Sequence, residues 1–116
     1  MTVAEIAQAL GLRLLAGAGG LDREVRYGYA SDLLSDVVAR APKGCLWLTL
    51  QTHENVVAVA LLVDAAGVVI TGGREPGANI CSRAEAEGLP LFASPASTFE
   101  LSGRLYALLA GEKRGA

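Results

Sequence analysis

Short apolar runs alternate with amphipathic segments along most of this chain. From residue 24 onward, strands are predicted at residues 24–29, 45–50, 67–70 and 89–93. Apolar residues at helical spacing predict helices between and after them, at residues 33–40, 52–65 and 76–88, and from Ser94 or Ser97 to about residue 110. Regular strand–helix alternation is typical of βαβ units, which build a largely parallel sheet.

A helix and a short strand precede this alternation. Thr2 and Glu5 stand at the spacing of a capping box, and Gly11 follows the last apolar position of the predicted helix. Residues 12–16 can form a strand and residues 17–20 a turn. We find no linker or repeat, so the sequence predicts one compact α/β domain over residues 1–116, with helices on both faces of a mostly parallel sheet. Residues 111–116 are expected to fray.

Composition narrows the class of protein. The chain has 116 residues, of which 52% are hydrophobic and 19% charged, as expected for one folded domain. A net charge of -2 argues against a nucleic-acid partner. The longest apolar run, residues 56–63, is far shorter than the roughly 20 residues that span a bilayer, so no membrane partner is expected. The N-terminus lacks the pattern of a secretory signal, and a cytoplasmic location is expected.

The cysteines and the histidine do not form a metal-binding pattern. Cys45 and Cys81 are far apart in the sequence, and His53 is the single histidine. Neither a metal nor a cofactor is therefore expected. Both thiols are predicted to be reduced and buried.

The loops that follow the predicted parallel strands carry much of the chain's polar chemistry. Because the carboxyl ends of parallel strands meet at one edge of a sheet, where ligands usually bind, we expect these loops to converge. We call this edge the carboxyl rim. Its candidate ligand-binding residues are Ser31, Asp32, Gln51, Thr52, His53, Thr71, Gly72, Gly73 and Arg74.

Several of these candidates also have a purely structural explanation. Ser31 or Asp32 can cap the helix at residues 33–40, and Thr52 can cap the next helix. His53 can be an exposed residue of a first helical turn. It has no nucleophile or acid at catalytic spacing, so a catalytic role is not expected.

The glycine pair also permits two interpretations. Glycine removes the side-chain barrier to an approaching anion, and the helix that follows offers backbone N–H groups. The same turn can simply join a strand to a helix, with Arg74 pairing with Glu75 on the surface. Neither GxGxxG nor GxxxxGK[ST] occurs in the sequence, which excludes a P-loop kinase or ATPase.

Four segments together resemble the DRTGG domain family. They are residues 28–36, 46–53, 69–76 and 99–106, and the most specific parts are Tyr-Ala-Ser-Asp at residues 29–32 and Leu-Gln-Thr-His at residues 50–53. The glycine turn reads Thr-Gly-Gly-Arg and lacks the five-letter signature that names the family. The family is similar to the N-terminal domain of bacterial HPr kinase/phosphorylase. The resemblance implies a compact α/β accessory domain without its own catalytic centre, often found at subunit interfaces.

Two functions follow as hypotheses. The first is a non-catalytic regulatory or assembly domain that acts as a homodimer. The alternative is a small-ligand sensor that binds a nucleotide or another phosphorylated metabolite at the carboxyl rim. A protein partner fits either hypothesis. An enzyme is not expected, because the potentially reactive side chains are isolated from one another. They are Asp32, Cys45, His53 and Cys81.

The pattern of the last helix supports the dimer independently. This helix carries two apolar stripes, and one sheet face cannot easily bury both, so a partner surface would hide the surplus. Complete burial inside a layered domain is the alternative. The first stripe is Leu101, Leu105 and Leu108, and the second is Phe99, Gly103, Tyr106 and Ala110.

Overall fold

A computed structural model describes the backbone of residues 1–115 and the side chains of residues 1–113. The strands in that range are β1 (Arg13–Ala16), β2 (Tyr27–Ala30), β3 (Cys45–Thr49), β4 (Gly67–Ile70) and β5 (Leu91–Ala93). The helices are α1 (Val3–Leu10), α2 (Leu34–Arg40), α3 (Asn55–Leu62), α4 (Ala78–Glu87) and α5 (Thr98–Gly115). This confirms the predicted α/β class.

The strands form one five-stranded sheet in the order β1-β5-β4-β3-β2. Strands β2 to β5 are parallel, whereas β1 pairs antiparallel with β5. Because the parallel strands follow one another in a single direction, right-handed crossovers place α2, α3 and α4 on the same face. Helices α1 and α5 cover the other face, as the two separate core clusters show.

The two faces of β3 supply the centre of both core clusters. Trp47 packs with Val57 of α3 and Ile80 of α4, and all three side chains are fully buried. On the opposite face, Leu48 packs in the cluster that contains Leu101 of α5. Every residue of β3 is buried, as its continuous apolar run predicts for a central parallel strand.

Helix caps set several element boundaries where the sequence places them. Thr2 and Glu5 form the predicted capping box, and Gly11 ends α1 in the left-handed conformation. Gly88 likewise ends α4. The Ser97 hydroxyl accepts a hydrogen bond from the Glu100 N–H at the start of α5. These caps confirm that local sequence signals specify helix ends.

Other boundaries differ from the prediction. Helix α3 is shorter than the predicted residues 52–65, because the chain turns at Asp64 (φ 55°) to enter β4. Strand β2 begins three residues late, since the Val25 N–H donates to the Met1 carbonyl instead. Helix α5 continues to Gly115, past the predicted end at residue 110. The expected fraying of residues 111–116 stays a prediction, and residue 116 lies outside the described residues.

The two cysteines lie in different environments. Cys45 is buried in β3, and burial raises the pKa of its thiol to about 11. Cys81, predicted to be buried, is only half-buried on α4. Both are free thiols in the part of the chain that the structure describes.

Among the described helices, none combines the length and the apolar character needed to cross a bilayer.

Candidate functional site

Hydrogen bonds tie the loops of the carboxyl rim to one another. The backbone of the β4–α4 loop bonds to β3 and to the β5–α5 loop, while the β2–α2 loop bonds to β3. Six of the candidate residues take part in bonds between neighbouring segments: Ser31, Asp32, Gln51, Thr71, Gly72 and Gly73. Thr52, His53 and Arg74 lie at the outer side of the same edge.

Asp32 bonds to β3 rather than capping α2. Its Oδ1 accepts from the Thr49 hydroxyl at 3.0 Å and from the Leu50 N–H at 2.7 Å. Its carbonyl accepts from Nε2 of Gln51 at 2.8 Å. The prediction that Asp32 caps α2 is therefore wrong, because the side chain satisfies the end of the neighbouring strand. The carboxylate remains exposed on its other side.

Ser31 also has a local role different from a helix cap. Its hydroxyl accepts from the Leu33 N–H at 3.2 Å, which closes a short turn before α2. Its carbonyl accepts from the indole N–H of Trp47 at 2.8 Å. Leu33 occupies the cap position of α2, where it makes no side-chain bond to the helix. Ser31 thus anchors the buried indole and the turn together.

A chain of threonine hydroxyls continues across the rim. The Thr71 hydroxyl lies 3.4 Å from the Thr49 carbonyl and 2.5 Å from the Thr98 hydroxyl at the start of α5. Thr49, Thr71 and Ser94 are the buried polar side chains of the described residues. None of the described buried side-chain N or O atoms lacks a partner. The sequence prediction missed Thr49 and Thr98, although each stands at the end of an apolar strand or the start of a helix, and it named Ser94 only as a possible helix start.

The glycine turn is closed by the neighbouring loop. Gly72 and Gly73 have φ angles of 73° and 75°, a conformation that disfavours residues with a side chain. Their N–H groups donate to the carbonyls of Ala96 and Ser94 at 2.8 and 2.9 Å. Because both donors are used inside the protein, these glycines join two loops. An anion at this turn would have to bind through other groups.

Arg74 follows this turn and is exposed. The suggested partner of Arg74, Glu75, forms an ion pair with Arg13 of β1 instead. The Arg74 guanidinium therefore lies beside the turn as a cation that a ligand could contact.

The outer side of the rim contains a shallow pocket of about 310 Å³. It lies between Thr52, His53 and the acidic Glu54 on one side and the first turn of α4, from Gly77 to Ile80, on the other. Gly77 offers no side chain to cap α4, so the first N–H groups of this helix are not used by a cap. A helix N-terminus of this kind favours negative charge.

The imidazole ring of His53 accepts a hydrogen bond from the first residue of α3. Its Nδ1 accepts from the Asn55 N–H at 3.0 Å. The prediction that Thr52 caps α3 is wrong, because the helix begins at Asn55 and this ring supplies the bond. No cluster of potential metal ligands occurs among the described residues.

Tyr29 and Asp36 form a further polar pair beside the rim. The tyrosine hydroxyl donates to Oδ2 of Asp36 at 2.6 Å. This hydrogen bond lowers the pKa of the Asp36 carboxyl and raises the pKa of the Tyr29 hydroxyl. The pair fastens α2 to β2, so its role is structural.

The family model of the DRTGG domain matches residues 5–108. This chain belongs to the DRTGG domain family. The match covers the whole carboxyl rim and every buried apolar core residue except Val3, and it agrees with the resemblance seen in the four sequence segments. No match is found among curated proteins.

A solved structure shares the DRTGG fold. It is the crystal structure of the CBS and DRTGG domains of the regulatory region of Clostridium perfringens pyrophosphatase, complexed with its activator, diadenosine tetraphosphate. The TM-score is 0.69 at 14% sequence identity. The match covers 87% of this chain and 44% of that chain, so the DRTGG chain described here spans less than half of its neighbour. At this identity the likeness shows a common fold.

Proposed function

We propose that this DRTGG domain is a non-catalytic regulatory domain that acts as a homodimer. The observation that carries the proposal is the contrast between the two stripes of α5. Leu101 and Leu105 are buried against the sheet, whereas Phe99 and Tyr106 are 90% and 76% exposed. Two aromatic rings so fully exposed on one helix are typical of a surface that another protein covers.

We infer the absence of catalysis from the hydrogen bonds that already occupy the polar side chains of the rim. The hydroxyls of Thr49 and Thr71 and the carboxylate of Asp32 are bonded to one another or to the backbone. A nucleophile or general base needs a partner arranged for proton transfer, and the rim groups hold loops in place instead. A regulatory role also agrees with the regulatory region in which the C. perfringens DRTGG domain occurs. The proposal places the domain in the cytoplasm, where free thiols stay reduced.

Light scattering after size-exclusion chromatography tests the dimer. We expect twice the 12.0 kDa mass of the chain at low micromolar concentration. Tyr106→Glu should restore 12.0 kDa, because it places like charges at the interface. Leu62→Glu is the matched control, since Leu62 is 71% exposed on α3, on the opposite face. A wild-type protein of 12.0 kDa at every concentration would refute the dimer.

A second candidate function is a sensor of a small anionic ligand at the carboxyl rim. The pocket beside His53 and the uncapped start of α4 favour it, together with the exposed Arg74. A nucleotide with a polyphosphate group fits this chemistry, and the related DRTGG-containing region is complexed with such an activator. We propose that Thr52, His53 and Arg74 contact this ligand. The other candidate residues hold the rim loops around it: Ser31, Asp32, Gln51, Thr71, Gly72 and Gly73.

A thermal-shift titration with diadenosine tetraphosphate and ATP tests the sensor. A ligand at about 100 times its Kd should stabilise the protein by about 2.7 kcal/mol. Arg74→Ala should weaken binding about tenfold, because it removes a charged hydrogen-bond donor. Arg83→Ala, an exposed arginine on α4, is the control and should bind normally. An unchanged melting temperature with both ligands, or an equal response of the two variants, would refute this site.

A further inference from the structure

The outer edge of β2 is open over a short stretch. The N–H and C=O groups of alternate residues in a parallel strand point to opposite sides. Arg26 donates to Gly44 on the β3 side, so Tyr27 and Tyr29 direct their backbone groups away from the sheet. The preceding outward N–H, that of Val25, is already bonded to the Met1 carbonyl. An additional strand would therefore bind at Tyr27 and Tyr29.

Helix α5 lies directly above this open edge. Leu105 is so close to β2 that a Cβ atom at Gly28 would approach its Cδ2 to 2.8 Å. Tyr106 of the exposed stripe follows Leu105 in α5, and it lines a small pocket together with Gly28. The exposed stripe of α5 therefore passes beside Gly28, the residue between the two open positions of β2.

We propose that two copies of this domain pair their β2 edges antiparallel around a two-fold axis at Gly28. This inference rests on the homodimer proposed above and specifies its interface. Tyr27 of one copy would pair with Tyr29 of the other, and two such pairs form four backbone hydrogen bonds. The two five-stranded sheets then become one continuous sheet. The same axis places the two α5 helices antiparallel, side by side.

The spacing of the two helices agrees with this arrangement. Helix α5 contacts both β2 and β3, so its axis lies about half a strand spacing inside β2. With strands about 4.8 Å apart, the two α5 axes would be about 10 Å apart. Packed helices lie about 8 to 10 Å apart, so strand pairing and helix packing can form together.

Side-chain sizes on α5 are complementary about Tyr106. An antiparallel partner places Phe99 opposite Lys113, whose stem can cover the ring. It places Gly103 opposite Leu109, a small residue opposite a large one. A pocket of about 100 Å³ lined by Gly28, Leu105 and Tyr106 offers space for one inserted side chain. A second copy of the chain thus fits this surface.

The opposite edge of the sheet is protected. On β1, Arg13 is paired with Glu75. Just beyond the strand, the Gly17 N–H donates to the Glu85 carboxylate of α4 at 3.0 Å. Charged groups along an edge strand oppose pairing with another chain. The β2 edge is the one beside the exposed stripe of α5, so we assign the assembly to β2.

A matched pair of substitutions tests the strand pairing. Tyr27→Pro removes the outward N–H, whereas Tyr27→Thr removes the same ring but keeps that N–H. Each dimer loses two hydrogen bonds with proline, so Tyr27→Pro should raise the dimer Kd about tenfold more than Tyr27→Thr. Analytical ultracentrifugation gives the Kd, and circular dichroism verifies that both variants fold.

Cysteine crosslinking tests the helix pairing without perturbing β2. In a Cys81→Ser background, Tyr106→Cys should form an intermolecular disulfide on mild oxidation, because the two positions meet at the axis. Leu62→Cys on α3 should not. Suppose that the wild type is dimeric, that the two Tyr27 variants have equal dimer Kd values and that Tyr106→Cys fails to crosslink. This result would overturn the proposed interface but not the homodimer. A monomeric wild type would overturn both.

Discussion

The carboxyl rim and the surface formed by β2 and α5 use the same sheet in opposite ways. At the rim, polar groups are abundant but bonded to one another, from Asp32 through Thr49 and Thr71 to Thr98. At the β2–α5 surface, the backbone of Tyr27 and Tyr29 has no neighbouring strand among the described residues. The contrast teaches that polar residues in a predicted ligand loop can be structural, whereas an open strand edge and exposed rings mark the surface on which the proposed dimer rests.

The largest expected effect distinguishes the two stripes of α5. In a Tyr106→Glu background, which removes association, Leu105→Ala should lower the free energy of unfolding by about 2 to 5 kcal/mol because it opens a cavity between α5 and β2. Phe99→Ala in the same background should change it by less than about 0.5 kcal/mol. Urea unfolding measures both. Equal losses would show that Phe99 contributes to the core of the monomer, contrary to its exposure.

The next effect concerns Asp32 at the rim. Asp32→Ala leaves the Thr49 hydroxyl and the Leu50 N–H without an acceptor, so we expect a loss of about 1 to 3 kcal/mol in urea unfolding. Asp22→Ala, at an exposed aspartate, removes the same charge and should be nearly neutral. The dimer Kd should be unaffected by either variant. A stable Asp32→Ala protein with altered ligand response would instead favour a direct binding role for this carboxylate.

A smaller effect is expected at the centre of the hydroxyl chain. Thr71→Val preserves the shape of the buried side chain but removes its bond to the Thr98 hydroxyl, which should cost about 1 kcal/mol. Thr71→Ser keeps the hydroxyl and loses a methyl group. If chemical unfolding shows valine to be as stable as wild type, the hydroxyl chain does not help to hold α5 on the sheet.

The smallest effect is a pH dependence from Tyr29 and Asp36. The hydrogen bond from Tyr29 lowers the pKa of Asp36 in the folded protein below its unfolded value. Its stabilisation is therefore fully present above the unfolded pKa and is lost as pH falls through the folded pKa. Between about pH 5 and pH 3, wild type should lose more stability than Tyr29→Phe. Parallel pH profiles of the two proteins would contradict this linkage.

The sequence by itself determined the class of the fold and several local features. The buried run at residues 45–50, the capping box at Thr2 and Glu5 and the glycine at position 88 depend on near neighbours, and the structure agrees with them. The convergence of the rim loops on one edge was expected from strand–helix alternation. These features were predictable because periodicity and capping act over a few residues.

Only the tertiary structure decided which polar groups remain available. Asp32 and Thr52 both fit a helix cap in sequence. In the structure, the Asp32 carboxylate accepts a hydrogen bond from Leu50, the residue after β3, and the His53 ring rather than Thr52 bonds to the start of α3. The N–H groups of Gly72 and Gly73 donate to carbonyls of a loop more than twenty residues away in the sequence. Likewise, the two stripes of α5 were visible in sequence, but the packing of α5 on β2 decided which stripe stays exposed. A hydrogen bond or a contact between distant segments depends on their relative placement, which no local pattern contains.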